Sequence, residues 1–295
     1  MKLRVGIFQI DVAIGDAAAN KRKVEHWMET RYVPSELPTV IVVPELWTTG
    51  YRLDRAAELA DAEGRGTAEF LGNIAKRHGV WFAGGSVLAS IKSTSASKST
   101  SASTSASKSK SPSGTGGYAN RGQVVSPDGE LVRSYDKAHL IRLMEEDKYF
   151  AAGREPSLFE IRASGGAGAR VKAGNVTCYD IRFCEWLRRY ALEGTEVLFV
   201  ASQWPASRAL HWNALLRARA IENQMFVVAC NRTGTSDGTA FGGESTVIDP
   251  YGEILFKAGE GEEAAFTVIE TSKAAEFRNF LTVFKDRVPE IYVPA

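Results

Sequence analysis

The chain has 295 residues, of which 44% are hydrophobic and 24% are charged, and its formal net charge is +1. These values are typical of a globular chain with one large α/β domain or two small ones. The small net charge argues against a dedicated nucleic-acid binder, because contacts to phosphates need a basic excess on one face. No apolar stretch of the sequence is long enough to span a membrane, and the N-terminus is too polar for a signal peptide.

The cysteines and histidines exclude several kinds of site. The three cysteines, Cys178, Cys184 and Cys230, form no Cys-x-x-Cys pair, which indicates reduced thiols and a cytoplasmic protein. The four histidines are dispersed without the spacing of metal ligands. No Gly-x-Ser-x-Gly motif is present, so a serine hydrolase of that kind is disfavoured, whereas a papain-like pairing of cysteine with a distant histidine stays open.

The first third of the chain alternates between apolar strands and amphipathic helices. The pattern predicts strands over 4–10, 39–43 and 80–88, a helix with Val24, Trp27 and Met28 on one face, and a second helix over 66–78. Such alternation is typical of parallel strands with helices packed over them. Residues 92–117 contain no apolar residue larger than alanine, so we predict a flexible insertion there, between two strands.

A hairpin pattern occurs twice in the rest of the chain. Strands over 118–126 and 130–135 flank a Ser-Pro-Asp-Gly turn, and residues 246–255 repeat the same turn chemistry. Between the hairpins, the pattern predicts strands before Cys178, over 196–202 and over 225–230, and a helix over 207–224. We therefore predict two mixed sheets packed face to face with helices outside each sheet. The tail over 284–295 is predicted to be an arm that packs on another subunit or on its own domain.

Cys178 lies in the stretch NVTCYDIRFCE, residues 175–185, between a β-branched strand pattern and an amphipathic helix pattern. A thiol at the carboxyl end of a strand has room for a substrate, and the positive field of a following helix start favours the thiolate. We therefore predict that Cys178 is a nucleophile. The alternative is a small buried hydrophobic residue, the usual role of a lone cysteine.

Charged residues follow two other predicted strands. Glu45, in VVPELW, is a candidate general base whose pKa partial burial would raise, or else a salt-bridge partner or helix cap. Lys137, in YDKAHL, can lower the pKa of a nearby thiol and hold an oxyanion, or can simply be solvated. Glu145 and Glu146 lie in the next loop, and spacing does not decide which of them points inward.

Together, VVPELW, YDKAHL and TCYDIRFCE, each at the end of a predicted strand, closely resemble the motifs of the nitrilase superfamily of carbon-nitrogen hydrolases. Supporting stretches lie at 201–224 and 244–255, and the resemblance runs from about residue 4 to residue 271, interrupted by the Ser/Lys-rich segment. It implies an α/β fold, a four-layer α-β-β-α sandwich, which agrees with the two-sheet pattern. It also implies a single domain over 1–295 and a homodimer or larger homo-oligomer.

The resemblance implies a role for each motif. Glu45 would be the general base, Lys137 the oxyanion and acid partner, and Cys178 the nucleophile. Glu146 would be a second glutamate that orients the substrate or the lysine, and the Tyr179 backbone N–H would be an oxyanion donor. In the implied mechanism the thiolate attacks an amide carbonyl, ammonia leaves, and water cleaves the thioester. Neither step needs a metal or an organic cofactor.

The residues around the cysteine look most like those of the omega-amidase group, which hydrolyses the terminal amide of small dicarboxylic acid monoamides such as 2-oxoglutaramate. True nitrilases usually carry tryptophan and glutamate where this chain has Tyr179 and Asp180. One departure is Cys184, which stands where the group commonly has proline. We expect this departure to be tolerated, and an oxidised pair of Cys178 and Cys184 stays open.

Three residues are candidates for substrate contacts. Arg182 can pair with a substrate carboxylate or serve a structural ion pair, and Trp204 and Tyr51 can wall the pocket or lie in the core. The expected partner is a small-molecule amide, with no nucleic acid and no membrane. The alternative functions are an N-carbamoyl or aliphatic amide hydrolase of the same fold and, from another class, a non-catalytic binding or scaffold protein. The joint presence of glutamate, lysine and cysteine argues against a scaffold.

Overall fold

The structure is a computed structural model that describes residues 1–91, 117–162 and 168–292. The predicted insertion lies outside the described residues apart from Gly117, as does the end of the predicted arm, so the domain boundaries stay a prediction. Within these residues, no helix has both the length and the apolar character needed to cross a membrane. The strands, in chain order, are β1 (Lys2–Gln9), β2 (Thr39–Val42), β3 (Asp61–Ala62), β4 (Trp81–Ser90), β5 (Tyr118–Val125), β6 (Leu131–Asp136), β7 (Ser157–Arg162), β8 (Arg170–Thr177), β9 (Val197–Ser202), β10 (Phe226–Asn231), β11 (Thr233–Ser236), β12 (Thr239–Gly242), β13 (Thr246–Ile248), β14 (Ile254–Lys257) and β15 (Glu263–Glu270).

Seven α-helices lie in the described part of the chain, six of them between strands and the last after β15. They are α1 (Ala17–Thr30), α2 (Ala56–Leu59), α3 (Arg65–His78), α4 (Glu146–Tyr149), α5 (Cys184–Leu192), α6 (Ala209–Asn223) and α7 (Ser272–Phe280). A five-residue 3-10 turn, Cys178–Arg182, separates β8 from α5. The predicted strands and helices are therefore present, with ends that differ by a few residues from the sequence pattern.

Two mixed sheets form the centre of the fold. The first has the strand order β15-β1-β2-β4-β5-β6, with β3 paired to β4, and the second has the order β14-β13-β10-β9-β8-β7. In the first sheet β1, β2 and β4 run parallel, and in the second sheet β8, β9 and β10 do. Each predicted hairpin forms an antiparallel edge, β5-β6 in the first sheet and β13-β14 in the second. The repeated hairpin pattern thus predicted the number of large sheets correctly.

The alternation of side chains along the strands builds the layers. In β1, Leu3, Val5 and Ile7 face a buried cluster that also contains Phe199 of β9 and Phe226 of β10, so the two sheets pack on each other there. Phe8, on the opposite face of β1, joins a second cluster beneath α1 and α3. A third cluster holds the apolar side chains of α5 and α6 against β9 and β10. The result is the predicted four-layer α-β-β-α sandwich.

Candidate active site

The three residues predicted to carry the chemistry each follow a strand end, as expected. Glu45 comes three residues after β2, Lys137 directly follows β6, and Cys178 directly follows β8. Glu45 and Lys137 therefore project from the first sheet and Cys178 from the second. Lys137 bonds to Glu45, and the charges of both act on the Cys178 thiol. Glu45 and Lys137 are fully buried and Cys178 is nearly so.

Lys137 joins two carboxylates. Its Nζ atom donates to Glu45 Oε1 and to Glu146 Oε1, each at 2.8 Å, and all three side chains are fully buried. Burial by itself would lower the pKa of Lys137, but the negative charges of Glu146 and Glu45 outweigh it and raise this pKa well above its ordinary value. The ammonium therefore keeps its charge in the buried site, as an oxyanion partner requires.

The resting state of Cys178 differs from the expectation of a helix-stabilised thiolate. Burial raises the pKa of the Cys178 thiol far above its ordinary value, and the charge of Glu45 adds to this, while Lys137 acts in the opposite direction. The thiol is followed by a five-residue 3-10 turn, and α5 begins only at Cys184, so no long helix starts at the thiol. The thiol thus holds its proton at neutral pH and needs a base to become a nucleophile.

The backbone at Cys178 is held in an unusual conformation. Its φ angle is +46°, in the left-handed region that residues with a side chain seldom adopt. Such conformations persist where the surrounding structure fixes them, and they cluster at functional sites. The turn at this point ends β8, and the thiol packs in the cluster of the second sheet while it lies near the charges of Glu45 and Lys137.

The structure decides between the two adjacent glutamates. Glu145 is exposed and pairs with Lys148, whereas Glu146 is fully buried, with Oε2 accepting the Ile141 N–H at 2.8 Å. Burial raises the pKa of Glu146, the charge of Glu45 contributes in the same direction, and Lys137 opposes them. Glu146 is therefore the residue that shares the lysine with Glu45, in agreement with the assignment from the resemblance.

Tyr51 lies beside the group formed by Lys137, Glu45 and Glu146. Its hydroxyl is 2.8 Å from Glu45 Oε1 and 2.8 Å from Glu146 Oε1. Burial and the two nearby carboxylates raise the pKa of Tyr51 well above its ordinary value, so the hydroxyl stays a donor. Tyr51 therefore links the same two oxygens that Lys137 links.

Sequence reasoning missed two further partners of Glu45. Asn120, in β5, donates from Nδ2 to Glu45 Oε1 at 2.8 Å. Gln203 donates its backbone N–H to Glu45 Oε2 at 3.0 Å and its Nε2 to the Glu45 carbonyl at 2.7 Å. Gln203 directly follows β9, so the strand-end rule that identified Glu45, Lys137 and Cys178 would have identified it as well.

A second buried carboxylate, Asp180, ties the loop after Lys137 to the turn at Cys178. Its Oδ2 accepts from the Tyr135 hydroxyl at 2.7 Å and from the Thr177 N–H at 2.9 Å. Its Oδ1 contacts the His139 N–H at 3.0 Å and His139 Nδ1 at 2.8 Å. Because Thr177 precedes the proposed nucleophile and His139 follows the lysine by two residues, Asp180 fixes the two segments relative to each other.

The remaining candidates have mixed outcomes. The Arg182 guanidinium lies over the ring of Trp204, 4.6 Å from its centroid. Trp204 is 3% exposed and belongs to the core cluster that also contains Cys178. Cys184 is exposed whereas Cys178 is buried, and both are free thiols. Among the residues described, no group of three His, Cys, Asp or Glu side chains is arranged to hold a metal ion.

Comparison with known proteins gives a consistent result along nearly the whole chain. A family model described as carbon-nitrogen hydrolase matches residues 4–279. The chain is 37% identical to the 2-oxoglutaramate amidase of Bacillus subtilis (strain 168), covering 99% of this chain and 100% of that protein. It is 33% identical to an omega-amidase of Yersinia enterocolitica, covering 96% of each chain. The solved structure of a CN-hydrolase superfamily protein from Xanthomonas campestris superposes with a TM-score of 0.80 at 26% identity and covers 100% of both chains.

Proposed function

Because the chain belongs to the carbon-nitrogen hydrolase family, we propose that it hydrolyses the terminal amide of a small dicarboxylic acid monoamide, such as 2-oxoglutaramate, to the acid and ammonia. The names of its relatives support the substrate class. The observation that carries the chemistry is the buried ammonium of Lys137 between the carboxylates of Glu45 and Glu146, beside the Cys178 thiol.

The proposed reaction begins with a proton transfer. Since the Cys178 thiol is protonated at rest, Glu45 takes its proton as the thiolate attacks the amide carbonyl. Within the described residues, Glu45 Oε1 accepts from Tyr51, Asn120 and Lys137, while Oε2 accepts only the Gln203 N–H and so retains a lone pair. Oε2 is therefore the atom that we assign as the base.

The later steps use the same groups. Lys137 and the backbone N–H of Tyr179 hold the oxyanion of the tetrahedral intermediate. As ammonia leaves, Lys137 gives it a proton and regains one from Glu45, which thereby becomes a carboxylate again. Water activated by Glu45 then cleaves the thioester and returns the proton to the Cys178 sulfur. Glu146 and Tyr51 keep Lys137 and Glu45 in position during all these steps, through the hydrogen bonds that they already make.

The test is ammonia release by the wild type and by Cys178→Ser, on 2-oxoglutaramate, glutamine, asparagine and a simple nitrile. We expect the wild type to favour 2-oxoglutaramate and the variant to lose activity, because a serine hydroxyl is a far weaker nucleophile at neutral pH. A covalent acyl adduct on Cys178, trapped by acid quench and located by mass spectrometry, would support the thioester. Wild-type turnover by Cys178→Ser would rule out this nucleophile.

A panel of amides separates the second candidate, an N-carbamoyl or aliphatic amide hydrolase of the same fold. Faster ammonia release from carbamoyl amino acids or from neutral aliphatic amides would favour that candidate. We also propose a homodimer or larger assembly, which light scattering on the purified chain would test.

A further inference from the structure

A pocket of about 500 Å³ opens beside the turn that carries Cys178. One wall is the segment over 140–143, which lies between Lys137 and Glu146. The other walls are Tyr179, Arg182 and Phe183, from the turn after the cysteine, and Arg208, from the turn before α6. Tyr179, in this wall, is the next residue after the proposed nucleophile, so the Cα atoms of the two are about 3.8 Å apart.

The charge of this pocket has one sign. Three of its lining residues are arginines, Arg142, Arg182 and Arg208, and none of its lining residues is acidic. Across residues 1–91, 117–162 and 168–292, no carboxylate ion pair involves any of these three guanidinium groups. Arg182 instead contacts His211 Nδ1 at 3.4 Å and lies over the Trp204 ring, so it is held in place without being neutralised.

Some other partly or fully buried arginines of the molecule are neutralised by carboxylates, whereas Arg278 is held by the backbone carbonyls of Thr195 and Asn223. Arg232 pairs with Asp11 at 2.8 Å, Arg121 with Asp136 at 2.6 Å, and Arg219 with Glu222 at 2.7 Å. The three arginines of this pocket lack such a partner and lie beside a buried reaction site. They can therefore bind an anion. Guanidinium groups bind carboxylates in a planar, two-point geometry.

We propose that this pocket, named here the arginine pocket (140–143, Tyr179, Arg182, Phe183 and Arg208), binds the free carboxylate of the substrate while the amide lies at Cys178. Arg182 and Arg208 are half-buried and make the direct contacts, whereas Arg142 is exposed and attracts the anion from the rim. This inference rests on the proposed amidase function. It assigns Arg142 and Arg208 to substrate recognition and predicts that neutral amides of the same length are poorer substrates.

The test compares an anionic amide with a neutral one. Glutaramate and pentanamide share a terminal amide and chain length, but only glutaramate carries a carboxylate. The variants are Arg208→Gln and Arg142→Gln, with Arg208→Lys to retain the charge and Arg22→Gln, on the exposed face of α1, as the control for loss of one surface arginine. The readout is ammonia release, resolved into kcat and KM for each substrate.

For Arg208→Gln we expect KM for glutaramate to rise at least about tenfold, as for loss of one charge-assisted bond, with pentanamide changed less than twofold. Arg208→Lys should recover part of the loss. Arg142→Gln should lower kcat/KM for glutaramate only at low ionic strength, because an exposed rim charge acts mainly on association. Arg22→Gln should change neither substrate. An unchanged ratio of glutaramate to pentanamide in Arg208→Gln would overturn the proposal.

Failure of the proposed function would look different. In that case the wild type would release no ammonia from either amide, and the arginine pocket would be tested by calorimetric binding of glutarate to Cys178→Ser. Binding that weakens at least about tenfold when Arg208→Gln is added, the same loss of a charge-assisted bond, would support the pocket. Equal binding with and without the arginine would overturn it.

Discussion

Asp180→Asn isolates the contribution of the buried carboxylate that joins the two reactive segments. Asp180 is fully buried and accepts four hydrogen bonds. Asparagine keeps one oxygen, so if that oxygen faces Tyr135 and Thr177, its amide group faces the His139 N–H and two donors oppose each other. Loss of charge-assisted bonds and one unsatisfied buried N–H together cost about 3 kcal/mol.

This cost predicts both a thermal and a catalytic effect. A loss of about 3 kcal/mol lowers the melting temperature of a chain of this size by roughly 5 °C. Because the segments that carry Lys137 and Cys178 lose their common anchor, we expect kcat to fall about 100-fold, as small misplacements of reacting groups do. Thermal unfolding and ammonia release measure the two effects separately.

The control is Asp136→Asn, one residue before Lys137. Asp136 is 29% exposed and forms a two-point pair with Arg121, at 2.6 Å and 2.9 Å. Its loss should cost only about 1 kcal/mol, as for a partly solvated ion pair, and should leave kcat nearly unchanged. If the two substitutions lower kcat equally, or if Asp180→Asn lowers stability alone, then Asp180 does not position the reactive segments.

Three further results are expected. Burial raises the pKa of Glu146 above its reference value of 4.5, so its contribution to stability is present below pH 4.5 and is lost as pH rises through the folded-state pKa. The unfolding free energy of the wild type relative to Glu146→Gln should therefore fall as the pH rises from 4.5. A constant difference between the two proteins in urea titrations would contradict this. Cys184 is the first residue of α5. Cys184→Pro should keep full activity and raise the unfolding free energy by up to about 1 kcal/mol, because proline fits the first position of a helix and restricts the unfolded chain. A loss of ammonia release would reveal a further role for the Cys184 thiol. Replacing residues 92–116 by a short turn should leave kcat nearly unchanged. The reason is that β4 and β5 pair as far as Ser90 and Tyr118, and the Ile91 N–H donates to the Gly117 carbonyl, so the two strand ends already lie side by side. A large loss of activity would show that the replaced segment contributes to the site.

The sequence predicted the layers well because each layer has a periodic signal. Apolar residues repeat along β1, β2 and β9, and the helices α1 and α3 carry one apolar face each. Long-range pairing has no such signal. The pairing of β15 with β1, which joins residues 263–270 to residues 2–9, depends on contacts between distant parts of the chain.

The site was predictable where a charged residue follows a strand and hidden where a polar residue lies within one. Asn120 is inside β5 among buried residues, and nothing in the pattern distinguishes its amide from an ordinary strand position. The choice between Glu145 and Glu146 depends on a left-handed turn, with φ of +58° at Glu145, that no residue preference encodes. The protonation of Cys178 depends on burial, which arises only when the two sheets close on each other.

The position of Lys137 between Glu45 and Glu146 also affects how the reaction handles charge. In the proposed reaction, a proton moves from Cys178 to Glu45, and the negative charge then passes from the sulfur to the oxyanion. The total charge inside the buried site is the same at every point up to the departure of ammonia. Creating a new charge in such a place would be costly. An arrangement that only relocates one existing charge, around a fixed ammonium, allows the chemistry to proceed without exchanging protons with bulk water until the leaving group departs.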